Sequence, residues 1–169
     1  ALPIADFSVA STCENSSTQF INLSFTPPQT EAIQFWSWSF GDGKDTLTTI
    51  PTTTVPHTYT SSASYNVILT VTTTAGCVSD PRIIPIVVSP QPEAEFGLTN
   101  NPSVVLEPVY FSDFSSPTGA ISSWYWEFGD QGASTSSAPV HTYNYPGVYN
   151  VTLTITDDKG CSDVLSKVL

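Results

Sequence analysis

Trp36-Ser37-Trp38-Ser39-Phe40-Gly41-Asp42-Gly43 decides the fold of this chain. Its three rings stand at every second position, with Phe35, Ser37 and Ser39 on the opposite face. Period two with one apolar face is the pattern of a half-buried strand, and each ring is a large apolar burial. The next three residues must turn the chain, because Gly tolerates positive φ and Asp hydrogen-bonds its own following backbone. The same order returns as Trp124-Tyr125-Trp126-Glu127-Phe128-Gly129-Asp130-Gln131-Gly132. Gln131 reads as an insertion before Gly132, so the second turn is expected to be a longer bulge.

The recurrence extends outward from that stretch. His57-Thr58-Tyr59 returns as His141-Thr142-Tyr143, and Tyr65-Asn66-Val67-Ile68-Leu69-Thr70-Val71 as Tyr149-Asn150-Val151-Thr152-Leu153-Thr154-Ile155. Gly76-Cys77 matches Gly160-Cys161, and Ala5-Asp6-Phe7 matches Ala94-Glu95-Phe96. An internal repeat of this length predicts two domains, residues 1–89 and 90–169. The join at Ser89-Pro90-Gln91-Pro92 is short and proline-containing, hence stiff.

Both copies read as strands throughout. Tyr65, Val67, Leu69 and Val71 alternate with mostly polar neighbours, as do Tyr149, Val151, Leu153 and Ile155. Further strands are expected near residues 4–10, 19–25, 45–49 and 80–88, with counterparts in the second copy. Pro85 makes the last strand of the first copy an edge or a broken strand. Six or seven short strands per copy predict an all-β chain of two immunoglobulin-like sandwiches in tandem.

Charge and composition exclude whole classes of function. The formal net charge is −11, and the only cations are Lys44, Arg82, Lys159 and Lys167. A phosphate backbone needs a basic footprint, and none exists, so no nucleic-acid partner is expected. An anionic membrane surface is excluded by the same argument, and no apolar run approaches the ~20 residues of a membrane span. The acidity suits a self-repelling surface, and a monomer is expected. The chain begins Ala1-Leu2-Pro3 without Met or a visible signal peptide, which reads as an excised piece of a longer protein.

Trp38-x-Phe40-Gly41-Asp42-Gly43, then His57-x-Tyr59, then the alternating strand 65–71, resembles the PKD (polycystic kidney disease) domain. Trp126, Phe128, Gly129, Asp130, His141, Tyr143 and the strand 149–155 carry the resemblance in the second copy. It implies a β-sandwich used in extracellular proteins as a spacer, an adhesion module or an accessory to secreted hydrolases, with neighbouring domains of a parent protein as partners. It also implies calcium near the domain N-terminus, here at Asp6 or Glu95. The Thr-rich style and the Gly-Cys before the last strand resemble surface proteins of gliding or adhesive Bacteroidetes-type bacteria.

No catalytic set emerges. The two histidines occupy one repeat position, and no nucleophile-elbow or zincin pattern surrounds them, so His57 and His141 read as structural or simply exposed. No cofactor is expected. Asp42 and Asp130 read as turn formers, and Tyr59 and Tyr143 as corner tyrosines, with the ring in the core and the hydroxyl on nearby backbone. Cys13 follows the first strand and Cys77 begins the last; such strands commonly neighbour each other, so a Cys13–Cys77 disulfide is expected, Cys161 having no second cysteine in its own copy. Phe35, Tyr125, Tyr110 and Tyr145 are candidates to face outward, and Phe35 and Tyr125 are the named candidates for stacking on sugar rings. Asp45-Thr46-Leu47 has the form of an O-glycan acceptor at Thr46. The reading is a non-catalytic extracellular spacer or adhesion pair; the alternative is a polysaccharide-binding accessory module of a secreted hydrolase.

Overall fold

The computed structural model describes residues 2–10, 12–27, 31–49, 53–99, 105–116 and 120–169. The chain divides into two compact units, Ala1–Pro90 and Gln91–Leu169. Among the described residues every regular element is a strand.

Unit 1 contains β1 (Phe7–Val9), β2 (Thr12–Cys13), β3 (Ser17–Asn22), β4 (Ile33–Ser39), β5 (Asp45–Thr48), β6 (Thr54–Thr58), β7 (Ser64–Thr73) and β8 (Arg82–Ser89). They form a three-stranded sheet, β1-β3-β6, and a five-stranded sheet, β2-β8-β7-β4-β5. Alternation decides what each sheet buries. On β3 the inward residues are Thr18 and Phe20; on β4 they are Trp36 and Trp38; on β7 they are Val67, Leu69, Val71 and Thr73. Phe7, Phe20, Trp38, Phe40, Val55 and Leu69 lie in one core fed by both sheets. Two sheets, each apolar on one face, can only bury those faces against each other.

Unit 2 repeats the plan with β9 (Phe96–Leu98), β10 (Pro108–Asp113), β11 (Ile121–Glu127), β12 (Ala133–Ser134), β13 (Val140–Thr142), β14 (Asn150–Asp157) and β15 (Ser162–Val168). The sheets are β13-β10-β9 and β12-β11-β14-β15. Phe96, Phe111, Trp126, Phe128, Leu153 and Ile155 form a separate core. The repeat is inexact at one tryptophan: Trp36 is buried, whereas Trp124 is half-exposed and donates its indole N–H to Asp113 at 2.7 Å.

Three expectations are corrected. Pro85 neither breaks β8 nor leaves it a simple edge. It sits opposite Asn66 within the β7–β8 ladder, while β2 pairs on the other side only at Val88 and Ser89. The missing amide of Pro85 therefore falls where no strand needs it. The second turn is not longer than the first. Phe128 N bonds Gly132 O as Phe40 N bonds Lys44 O, so Gln131 occupies the place of Gly43 and no residue is inserted. The expected Cys13–Cys77 disulfide is absent, and Cys77 is a free thiol. The first strand, β1, lies in the other sheet from β8, and the short β2 that follows it joins β8 in parallel at its far end, with Cys13 opposite Ser89. Cys77 lies beyond the other end of the β7–β8 ladder, where its carbonyl receives the amide of Thr73. The length of β8, roughly 25 Å at ~3.3 Å per residue, separates two groups that a disulfide must bring within ~7 Å.

Candidate functional site

The residues singled out by the repeat meet in one buried assembly per unit. In unit 1 the Phe40 ring, entering from β4, stacks on the His57 ring of β6 at 3.9 Å between centroids and 4° between planes. Tyr59 meets His57 edge-on at 4.6 Å and stacks on Tyr65 at 4.5 Å. The Tyr59 hydroxyl donates to the Phe40 carbonyl at 3.0 Å, which ties the start of the turn to the end of β6. His57 Nε2 lies 2.9 Å from Asp42 Oδ2. An ionised carboxylate only accepts, so the proton of this bond belongs to the ring. Asp42 Oδ1 accepts the Lys44 amide at 3.1 Å and closes the turn.

Unit 2 reproduces each contact. Phe128 stacks on His141 at 4.1 Å, and Tyr143 donates to the Phe128 carbonyl at 3.1 Å. His141 holds Asp130 at 2.8 Å, and Asp130 accepts the Gly132 amide at 2.9 Å. The glycine before each aspartate is demanded twice over. Gly41 and Gly129 have φ of +80° and +85°, and a Cβ on either would lie 2.8 Å from the carbonyl oxygen of Asn66 or Asn150. That close approach joins the turn to the Tyr-Asn start of β7 or β14, so the scattered pieces of the repeat form one contact set.

The electrostatics follow from burial. Burial acts to raise the pKa of Asp42, but hydrogen bonds from His57 and the Lys44 amide, with the nearby positive charges, outweigh it and leave the carboxyl below its ordinary value. Asp130 is lowered by the same balance, with His141 and the Gly132 amide as partners. The Tyr143 hydroxyl is pushed up to about 12, first by burial and then by the negative charges of Asp130 and Tyr149. Tyr59 is raised for the same leading reason. Each imidazole has one face on a phenyl ring and its Nε2 committed to a carboxylate. The chemistry this arrangement supports is the locking of a turn.

The remaining candidates lie elsewhere. Asp6 and Glu95 are repeat equivalents, and each carboxylate has a cation: Arg82 Nε at 3.0 Å from Asp6, and Lys167 Nζ on Glu95. The Lys167 hydrogen bond, followed by the Phe96 amide, holds Glu95 below its ordinary value. Among the described residues no three His, Cys, Asp or Glu side chains gather as a metal-binding group. Phe35 is only half-exposed, whereas Tyr125 is 47% exposed on the outer face of the β11–β14–β15 sheet. There it stands in a row with Thr154 and Val164. Thr46 is exposed on β5. Sequence reasoning placed the histidines at one repeat position but could not pair each with its aspartate, because Asp42 and His57 lie fifteen positions apart along the chain.

The model of the PKD domain family matches residues 1–88 and again 89–168. The chain is a tandem of PKD domains. Part of this PKD pair is 51% identical, over 29% of the chain, to the pre-pro-metalloprotease PrtV of Vibrio cholerae, of which it covers 5%. It is 41% identical over 36% of its length to a microbial collagenase of Vibrio alginolyticus, covering 8% of that protein. The chain thus spans less than a tenth of these relatives. The solved PKD1 domain of V. cholerae PrtV shares 40% identity over 47% of this chain and 94% of that one, with a TM-score of 0.43. The fibronectin(III)-like modules of Clostridium thermocellum CbhA align over 99% of this chain and 91% of theirs at 16% identity and a TM-score of 0.54, a likeness of fold. PKD, immunoglobulin-like and fibronectin-like modules are non-catalytic domain types. No helix among the described residues is long and apolar enough to cross a membrane.

Proposed function

We propose that this PKD pair is a non-catalytic accessory segment of a larger extracellular hydrolase, acting as a folded spacer beside the catalytic domain. The observation that supports it most is the use made of the repeat's polar residues. Both histidines lie against a phenyl ring, and their aspartates are tied to turn amides, so these groups present no nucleophile–base arrangement to a substrate. The relatives, a metalloprotease and a collagenase, supply the expected parent and, with it, an extracellular setting. Their Vibrio origin leaves the adhesive or gliding Bacteroidetes setting resting on composition alone.

The test needs a parent hydrolase carrying the pair. Its deletion should spare hydrolysis of a short soluble peptide and reduce hydrolysis of an insoluble substrate. Replacing it with an unrelated sandwich pair should restore the latter. The isolated pair should hydrolyse neither casein nor gelatin. Loss of soluble-peptide activity on deletion would refute the accessory reading, and failure of the replacement would refute the spacer. A second reading, retention of a polysaccharide, is favoured by the exposure of Tyr125 among sheet-face hydroxyls.

A further inference from the structure

The outer face of the β9–β10–β13 sheet in unit 2 carries a line of rings that the fold does not use. Val109 and Phe111 point into the core, so Tyr110, Ser112 and Phe114 point out. Tyr110 is 47% exposed and Phe114 66%. Opposed residues in the ladder share a face. Val140 and Thr99 therefore flank Tyr110, Gly97 flanks Ser112, and Thr142 lies beside Pro108. The two rings stand four residues apart, about 13 Å between Cα atoms, with hydroxyls around and between them.

Gly97 is the telling residue. Its φ lies outside the left-handed region, so the backbone does not require glycine there. A Cβ at Gly97 would instead lie 2.7 Å from Cε2 of Phe114. The missing side chain leaves room for the Phe114 ring to lie against the sheet while most of it stays exposed. Unit 1 has the same register, with Phe7 opposite Asn22 and the Leu23 amide on the Asp6 carbonyl. Its equivalents of Gly97, Tyr110, Ser112 and Phe114 are Ser8, Gln19, Ile21 and Leu23, with no ring among them. The aromatic line belongs to this unit and is not a demand of the sandwich.

From this arrangement we infer that the Tyr110–Phe114 face of unit 2 binds a neutral polysaccharide chain. The inference rests on the polysaccharide reading above and assigns its surface to a different sheet from Tyr125. Exposed ring faces take the C–H face of a pyranose, and Ser112, Thr99 and Thr142 offer hydroxyls to its edges. Charge selects among polymers. With a net charge of −11, an anionic glycan is repelled whereas a neutral one meets no penalty. The surface is an open sheet face rather than the aromatic-lined groove in which a proline-rich peptide docks.

The experiment is retention of the full chain on insoluble cellulose, chitin and a neutral β-glucan, with gelatin as the peptide control. Retention on at least one neutral polysaccharide is expected. The Tyr110→Ala/Phe114→Ala variant should weaken it about tenfold or more, with an unchanged melting temperature, while Tyr125→Ala keeps it. Addition of a side chain in Gly97→Val should weaken it as well. Retention lost in Tyr125→Ala but kept in the double variant would overturn this surface and leave the polysaccharide reading standing. No retention on any neutral polysaccharide, or retention on gelatin alone, would end both.

Discussion

Gln131 holds a backbone conformation that only glycine adopts cheaply. Its φ is +75°, and it stands where unit 1 has Gly43 at +84°. A side chain in the left-handed region costs ~1–2 kcal/mol. Gln131→Gly should therefore stabilise unit 2 by about 1 kcal/mol, read as a rise in the denaturant midpoint with unchanged slope. The glycine two positions earlier has a different reason to exist. A methyl at Gly43 would meet nothing within 4 Å, whereas a methyl at Gly41 would strike the Asn66 backbone. Gly43→Ala should cost ~1 kcal/mol and Gly41→Ala about 2–4 kcal/mol, because only the second adds overpacking to strain. Equal costs in urea titrations would show that the turn does not depend on its approach to β7.

At the scale of the element, the corner tyrosine joins strands that the ladder hydrogen bonds do not. Tyr143 ties β13's exit to the end of β11 through the Phe128 carbonyl. Tyr143→Phe leaves that buried carbonyl without its donor and should cost about 1–2 kcal/mol. The hydroxyl's pKa is raised to about 12 from 10. A raised folded value means stability that is complete below pH ~10 and is lost as the pH rises through 12. Wild-type unfolding free energy should fall over that interval, and the Phe variant should fall less. The turn carboxylates act at the other extreme. Asp42 and Asp130 are lowered, so their contribution is present above pH ~4 and lost as the pH falls further. Cys77 belongs to this scale too. As a half-exposed free thiol in the turn between β7 and β8, it should be alkylated in the native protein. Peptide mapping that found it joined to Cys13 would contradict the strand register.

For the whole molecule, two separate cores predict two folding units. The core of Trp38 contains residues of unit 1 alone, and that of Trp126 residues of unit 2 alone. Chains 1–90 and 91–169 should each fold cooperatively. Trp126→Ala should destabilise unit 2 by about 3–5 kcal/mol. A loss below about 1 kcal/mol in the denaturant titration of chain 91–169 would refute the burial of Trp126 in that core.

The sequence by itself determined the sandwich class, the two domains and the inward faces, since period-two alternation and an internal repeat are written along the chain. Trp38, Phe40, Tyr59 and their counterparts were legible as core because a strand has only two faces. Tertiary structure decided which residues meet across sheets and ends. The pairing of His57 with Asp42, the parallel docking of β2 that parts Cys13 from Cys77, and the substitution of Gln131 for Gly43 all depend on register. Register is a property of two strands together and leaves no mark on either one read alone. The Phe114 ring over Gly97 is the same case: two unremarkable residues whose meaning appears only when β9 lies beside β10.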